Sequence, residues 1–332
     1  MSALSLSVAL SDNTMTAPIH RGQVSPQGID WTVSAVHPSE MFWRQLKFAE
    51  FDISEMSLSS MTIAASQGVR DWIAIPVFTT RRFFHTGIVV RAAAGIESPA
   101  DLVGKRVGVP EYQQTAAVWT RGALQHEFGV APEQMTWFME RPPELSHGGA
   151  TDFAPPPGVK LSYISPDTNI GELLRTGELD AAIVYIADRN LVDRSRSEAG
   201  SISGVRTLFA DPVAECVRYH QATGILPVNH VVVVRAGLLA EHPWVALNVF
   251  SAFLEAKRLA QEPVLAGLQP WQQIGVVPAD MTAALRSVDP LPYGFQAQGK
   301  TLQALSDYLV EQGLTRTKVD ITDLFAPSTL AL

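Results

Sequence analysis

A single cysteine, Cys216, stands in this 332-residue chain. That excludes disulfide frameworks and zinc ribbons together, since each needs paired thiols. No run approaches the about 18 consecutive apolar residues that a membrane-spanning helix requires. Cations are scarce: Lys+Arg 25 against Asp+Glu 33 leaves a formal net charge of −8. Non-specific nucleic-acid binding depends on cations neutralising phosphates, so nucleic acid is not expected as a partner. The P-loop, dinucleotide-fingerprint, nucleophile-elbow and zinc-protease motifs are all missing. A secretory leader is not evident either, because residues 1–10 lack Lys and Arg and alternate Leu4, Leu6, Val8 and Leu10 with small residues. That is a strand pattern, from which a cytoplasmic protein is expected.

What is present is ample core material: hydrophobic residues make up 46% and charged residues 17%. Disorder needs the opposite balance. The length exceeds the roughly 250–300 residues at which one core stops growing, so two domains are expected. Low charge and seven tryptophans are compatible with a homo-oligomer.

Strand and helix patterns alternate along the chain. Strands are expected at 4–10, 29–36, 72–78, 86–91, 106–109, 181–186 and 230–235, with a short strand or turn at 51–54. Helices are expected at 41–49, 57–67, 113–128 and 170–176. Two more follow Pro243 and span the Leu302, Leu305 and Leu309 stripe. This alternation implies parallel α/β sheets covered by helices. Crossings near 96–105 and 224–230 would make the first lobe discontinuous (1–95 and 230–332) around a second (96–229), with an interdomain cleft between them. Residues 139–158 hold five prolines and no periodicity, and read as a long irregular excursion of the kind that is often functional.

Two polar clusters open helices at strand ends: Ser54-Glu55-Met56-Ser57-Leu58-Ser59-Ser60, and Pro110-Glu111-Tyr112-Gln113-Gln114-Thr115. Free N–H groups there would suit a ligand with more than one carboxylate; ordinary N-capping is the competing reading. Arg81-Arg82-Phe83-Phe84-His85 follows an apolar strand, either as a solvated loop or with one arginine held for a carboxylate. His85, His230 and Glu111 form a candidate acid–base set near the crossings. Spacing alone does not favour a metal site from the same three groups, and none is expected. Cys216 reads as a buried structural thiol. His20, His37, His126, His147, His220 and His242 read as surface or capping residues.

The first cluster, together with Ile75-Pro76-Val77-Phe78, Gly108-Val109-Pro110-Glu111-Tyr112-Gln113, Thr115-Ala116-Ala117-Val118-Trp119 and Thr223-Gly224-Ile225, resembles the 4,5-dihydroxyphthalate decarboxylases. So does His230-Val231-Val232-Val233. Gly177-Glu178-Leu179-Asp180-Ala181 resembles a turn shared across type II periplasmic-binding-protein folds. The resemblance implies that two-lobed α/β fold and the loss of CO2 from an aromatic dicarboxylic acid. A small aromatic carboxylate is the implied partner, and no cofactor is implied. For that chemistry His85 is expected as the general acid, with Glu111 competing, and His230 is expected to accept from or orient the catechol hydroxyls. Glu55, Ser57, Ser59, Arg81, Gln113 and Thr115 would bind substrate. A solute-binding protein that captures such an anion without chemistry is the alternative.

Overall fold

The computed structural model describes residues 3–332. Its first sheet is built from β1 (Leu4–Leu10), β2 (Ile29–Ala35), β3 (Ile53–Ser57), β4 (Trp72–Arg81) and, from far along the chain, β11 (Val228–Arg235). The second contains β5 (Val89–Arg91), β6 (Arg106–Val109), β7 (Thr136–Met139), β8 (Lys160–Tyr163), β9 (Ala181–Ala182) and β10 (Val205–Thr207). Their orders are β2-β1-β3-β11-β4 and β10-β5-β9-β6-β7-β8. The alternation at the start of the chain does form β1, which runs parallel to both β2 and β3.

β11 returns to lie antiparallel between β3 and β4. Val231, Val232, Val233 and Val234 are fully buried, as a central strand covered on both faces demands. Its pairing with β4 slips on either side of His230. Such a bulge re-aims side chains locally, and Asn229 and His230 both reach the cleft although they are consecutive.

The chain leaves the first sheet after Arg81 and joins the second at Val89. The first crossing is therefore residues 82–88, and the segment 96–105 lies within the second lobe. The expected strand over 86–91 is shortened because Phe84–Gly87 forms a 3-10 turn. The expected strand over 181–186 stops at Ala182. Beyond it Val184 takes φ 50°, a conformation that a β-branched residue adopts only under constraint. Cys216 is half-buried rather than buried.

The helix Thr115–Phe128 locks the lobes together. Trp119 Nε1 donates to the Val228 carbonyl at 2.8 Å. One apolar cluster joins Met56, Trp119, Tyr219 and Leu305 across the junction. A Cβ at Gly122 would lie 2.2 Å from the Tyr308 ring, so only glycine permits this approach. No helix among the described residues is long and apolar enough to cross a membrane.

Candidate active site

Between the two sheets lies a cavity of about 730 Å³. Its walls come from the carboxyl ends of the parallel strands, where open α/β sheets bind ligands. Ser11, Val36 and Ser57 close β1, β2 and β3. Gln114, Arg141 and Val184 follow β6, β7 and β9 from the other lobe.

His230 and Glu55 form a buried pair on one wall. The imidazole Nδ1 lies 2.8 Å from Glu55 Oε2. The other carboxylate oxygen accepts from the Ser11 amide at 2.9 Å and its hydroxyl at 2.7 Å. Burial pushes the Glu55 carboxyl upward, but the His230 and Ser11 hydrogen bonds outweigh it and hold the group below its ordinary range. A carboxylate can only accept, so Nδ1 carries a proton and Nε2 is the atom left for chemistry. Phe42 packs edge-on against the ring at 4.7 Å.

The opposite wall carries the main cation. Arg141 is fully buried, with Nε and Nη2 bonded to Asp193 at 2.6 and 3.0 Å and Nη2 also reaching Ser39 Oγ at 2.7 Å. Burial disfavours its charge, but the Asp193 carboxylate reverses that and raises its pKa. Nη1 turns to His147 Nε2 at 3.4 Å. The His147 Nδ1 then pairs with Ser60 Oγ at 2.9 Å, and Ser60 donates to Ser57 at 3.1 Å. Burial and the neighbouring Arg141 hold His147 well below the usual imidazole range, so it is neutral. Arg82 lines the cavity from the first crossing, exposed, and makes no ion pair among the described residues.

Of the nine residues expected at the site, His230, Ser57 and Thr115 line the cavity, with Glu55 directly behind His230. Ser57 and Thr115 bond to each other across the lobes at 2.9 Å. Ser59 points away from the cavity, its hydroxyl on the Gln113 carbonyl at 2.6 Å. Gln113 holds Thr151 on the wall of a separate pocket.

Glu111 is buried behind the site, accepting from the His147 amide at 3.0 Å; burial raises its pKa against the opposing Arg141. His85, Glu111 and His230 thus do not converge. His85 faces away from the cavity and bonds Glu215 at 3.0 Å. Arg81 departs because alternate residues of a strand point to opposite faces. Thr80 and Arg82 face the cavity, while Arg81 donates to the Pro292 carbonyl.

The sequence reading missed Arg141 and His147. Their only signal was the proline-rich stretch 139–158. His147 is buried in the site rather than on the surface, whereas His37 does cap the helix Pro38–Phe48. No three His, Cys, Asp or Glu side chains converge as a metal site among the described residues.

This chain is 32% identical over 336 aligned positions to 4,5-dihydroxyphthalate decarboxylase of Comamonas testosteroni, covering 99% of the chain and 98% of that relative. The chain belongs to the 4,5-dihydroxyphthalate decarboxylase family. The Pseudomonas putida decarboxylase is 38% identical over 183 residues, 55% of this chain and 71% of that one. The NMT1/THI5 like family model matches residues 55–148, a stretch that includes Glu55, Arg141 and His147.

The fold of this decarboxylase family member resembles the aliphatic sulphonate binding protein SsuA of Escherichia coli (TM-score 0.54, 14% identity, both chains covered in full). It also resembles the alkanesulfonate-binding protein SsuA of Xanthomonas axonopodis pv. citri (TM-score 0.57, 13% identity, 98% and 99% covered). These likenesses establish the two-lobed binding-protein fold.

Proposed function

We propose that this protein decarboxylates a hydroxylated aromatic dicarboxylic acid, converting 4,5-dihydroxyphthalate to protocatechuate and CO2. The chemistry sets the requirements. Each ring hydroxyl is para to a carboxylate-bearing carbon and makes that carbon basic. A proton added there breaks aromaticity, and departure of CO2 returns the C–C electron pair to the ring and restores it. The substrate's own ring supplies the electrons, so no electron-sink cofactor is required. The protein must supply a proton at the ring carbon, an acceptor for the para hydroxyl and donors for the retained carboxylate.

His230 is our candidate for the proton donor. An imidazolium formed at His230 is stabilised by the Glu55 carboxylate behind it, and its Nε2 is free for the ring carbon. Neutral His147 orients Arg141 instead, because its Nε2 accepts from Arg141 and its Nδ1 faces Ser60, which leaves no ring nitrogen for the substrate. It is a poor general acid for the same reason. Arg141 and Arg82 would hold the carboxylates, with Ser57 and Thr115 adding hydroxyl donors at the two helix starts. In this reading Glu111 acts indirectly by fixing the loop that carries His147.

The observation that carries the proposal is that one cavity is shared by a carboxylate-backed histidine and a fixed guanidinium. Purified protein should be given a panel of hydroxylated phthalates and benzoates and followed for CO2 release, with and without a chelator. Release from 4,5-dihydroxyphthalate that His230→Gln lowers by about 10²- to 10⁴-fold, the usual worth of general acid catalysis, is expected. Tight binding without CO2 release would instead establish a solute-binding protein.

A further inference from the structure

His85 is 2% exposed yet contributes nothing to the cavity wall. It belongs to the first interlobe crossing, whose Arg82, Phe84 and Gly87 do line the cavity. The 3-10 turn Phe84–Gly87 sends Phe84 forward and His85 backward. Behind the cavity, its Nε2 lies 3.0 Å from Glu215 Oε1.

Glu215 lies on the helix Pro212–Thr223, the element that feeds the second crossing and then β11. The carboxylate is firmly held, since Arg218 reaches its two oxygens at 2.7 and 2.8 Å. Arg218 also reaches Glu127 at 3.0 Å, on the helix whose first turn supplies Thr115. A clamped carboxylate accepts only, so His85 donates from Nε2. Phe209 packs edge-on to the ring at 5.8 Å and Tyr219 lies tilted against it at 4.8 Å. Burial lowers the His85 pKa, which favours this neutral, donating form. A buried bond therefore joins the first crossing to the element leading into the second, beside a longer Cys216 Sγ–Thr86 Oγ1 contact at 3.9 Å and the packing of Phe83 on Tyr219.

We propose that His85 is a positioning residue: through Glu215 it ties the two interlobe crossings together and so fixes Arg82 and Phe84 on the cavity wall shared with His230. The inference rests on the reading of this cavity as a site for an aromatic carboxylate. A residue that merely packed would lower thermal stability and leave ligand affinity alone. A positioning residue acts through the groups it places, so its effect must depend on whether Arg82 is there.

The test is a double-mutant cycle on the dissociation constant of phthalate, measured by calorimetry. Phthalate keeps both carboxylates and lacks the hydroxyls that drive turnover. His85→Ala should weaken phthalate binding about tenfold in the otherwise native chain and less than about twofold beside Arg82→Ala, a coupling in the range found for residues that act together. His85→Gln, which keeps an N–H at a similar reach, should recover native affinity to within about threefold. Glu215→Ala approaches the same bond from the other partner and should reproduce the loss, so the test stands even if His85→Ala fails to fold. Equal losses with and without Arg82, or undiminished affinity in folded Glu215→Ala, would overturn the proposal. Because binding is read without turnover, failure of native protein to release CO2 would remove the decarboxylase reading alone.

Discussion

Replacing Glu55 by Gln isolates the carboxylate behind His230. The side chain keeps its size, and its carbonyl oxygen can still accept from the Ser11 amide and hydroxyl, now at 2.9 and 2.7 Å. The amide nitrogen then faces His230 Nδ1, where a carboxylate oxygen sits at 2.8 Å. Two N–H groups cannot share that contact, so Nδ1 must give up its proton and the ring must change tautomer. The charge that stabilises an imidazolium is lost as well. A hydrogen bond to a charged group contributes about 1.5–3 kcal/mol, which corresponds to about 10- to 150-fold in rate. Correct-tautomer loss alone reaches about 10⁴-fold in the analogous serine-protease substitution. We therefore expect kcat for 4,5-dihydroxyphthalate to fall by about 10²- to 10³-fold.

The same carboxyl is linked to stability. Its folded pKa is depressed, so it stabilises the fold above its unfolded value, and that contribution disappears as pH falls through the folded value. Glu55→Gln should remove this part of the acid-side decline in Tm. Stopped-assay kcat and thermal melts from pH 3 to 7 check both arms. A kcat within about threefold of native, in a protein that melts normally, would refute the role assigned to the pair.

Three further outcomes follow from other parts of the molecule. Arg82→Ala should raise KM by about 10- to 100-fold through loss of a charge-assisted contact, with little change in Tm because the side chain is exposed and unpaired. His147 and His85 are both held neutral by burial. The unfolded chain therefore binds more protons below about pH 6.5, and Tm should fall between pH 7.5 and 5.5, less steeply in His147→Gln. Gly122→Ala drives a methyl into the Tyr308 ring and should destabilise the protein by about 1–3 kcal/mol in chemical denaturation, as overpacking does.

The strands of the first sheet were legible because period-2 alternation and unbroken valine runs report directly on half-buried and fully buried strands. Leu4–Leu10 and the run ending at Arg235 are the plainest cases. The lobe boundary was harder to read. β5 has three residues and pairs with strands far along the chain, so no local pattern marks its transfer to the second sheet.

Within the site, His230 was visible because it opens a strand, and Glu55 because it precedes a helix start. Arg141 and His147 were not, since their partners Ser39 and Ser60 lie 102 and 87 residues away. A loop without periodicity gives no clue to which side chains will meet another lobe. His85 shows the converse limit. It was expected near the crossings as an acid–base group, but rotation within a 3-10 turn decides whether such a side chain faces the cavity or the element behind it.

Single turnover in deuterated water tests the central claim most directly. Ring protonation by His230 predicts protocatechuate carrying one deuterium at the vacated carbon, position 6, para to the 3-hydroxyl, with its formation slowed by about 10²- to 10⁴-fold in His230→Gln. Product without deuterium at that carbon, or labelled product formed at the native rate by His230→Gln, would contradict the account.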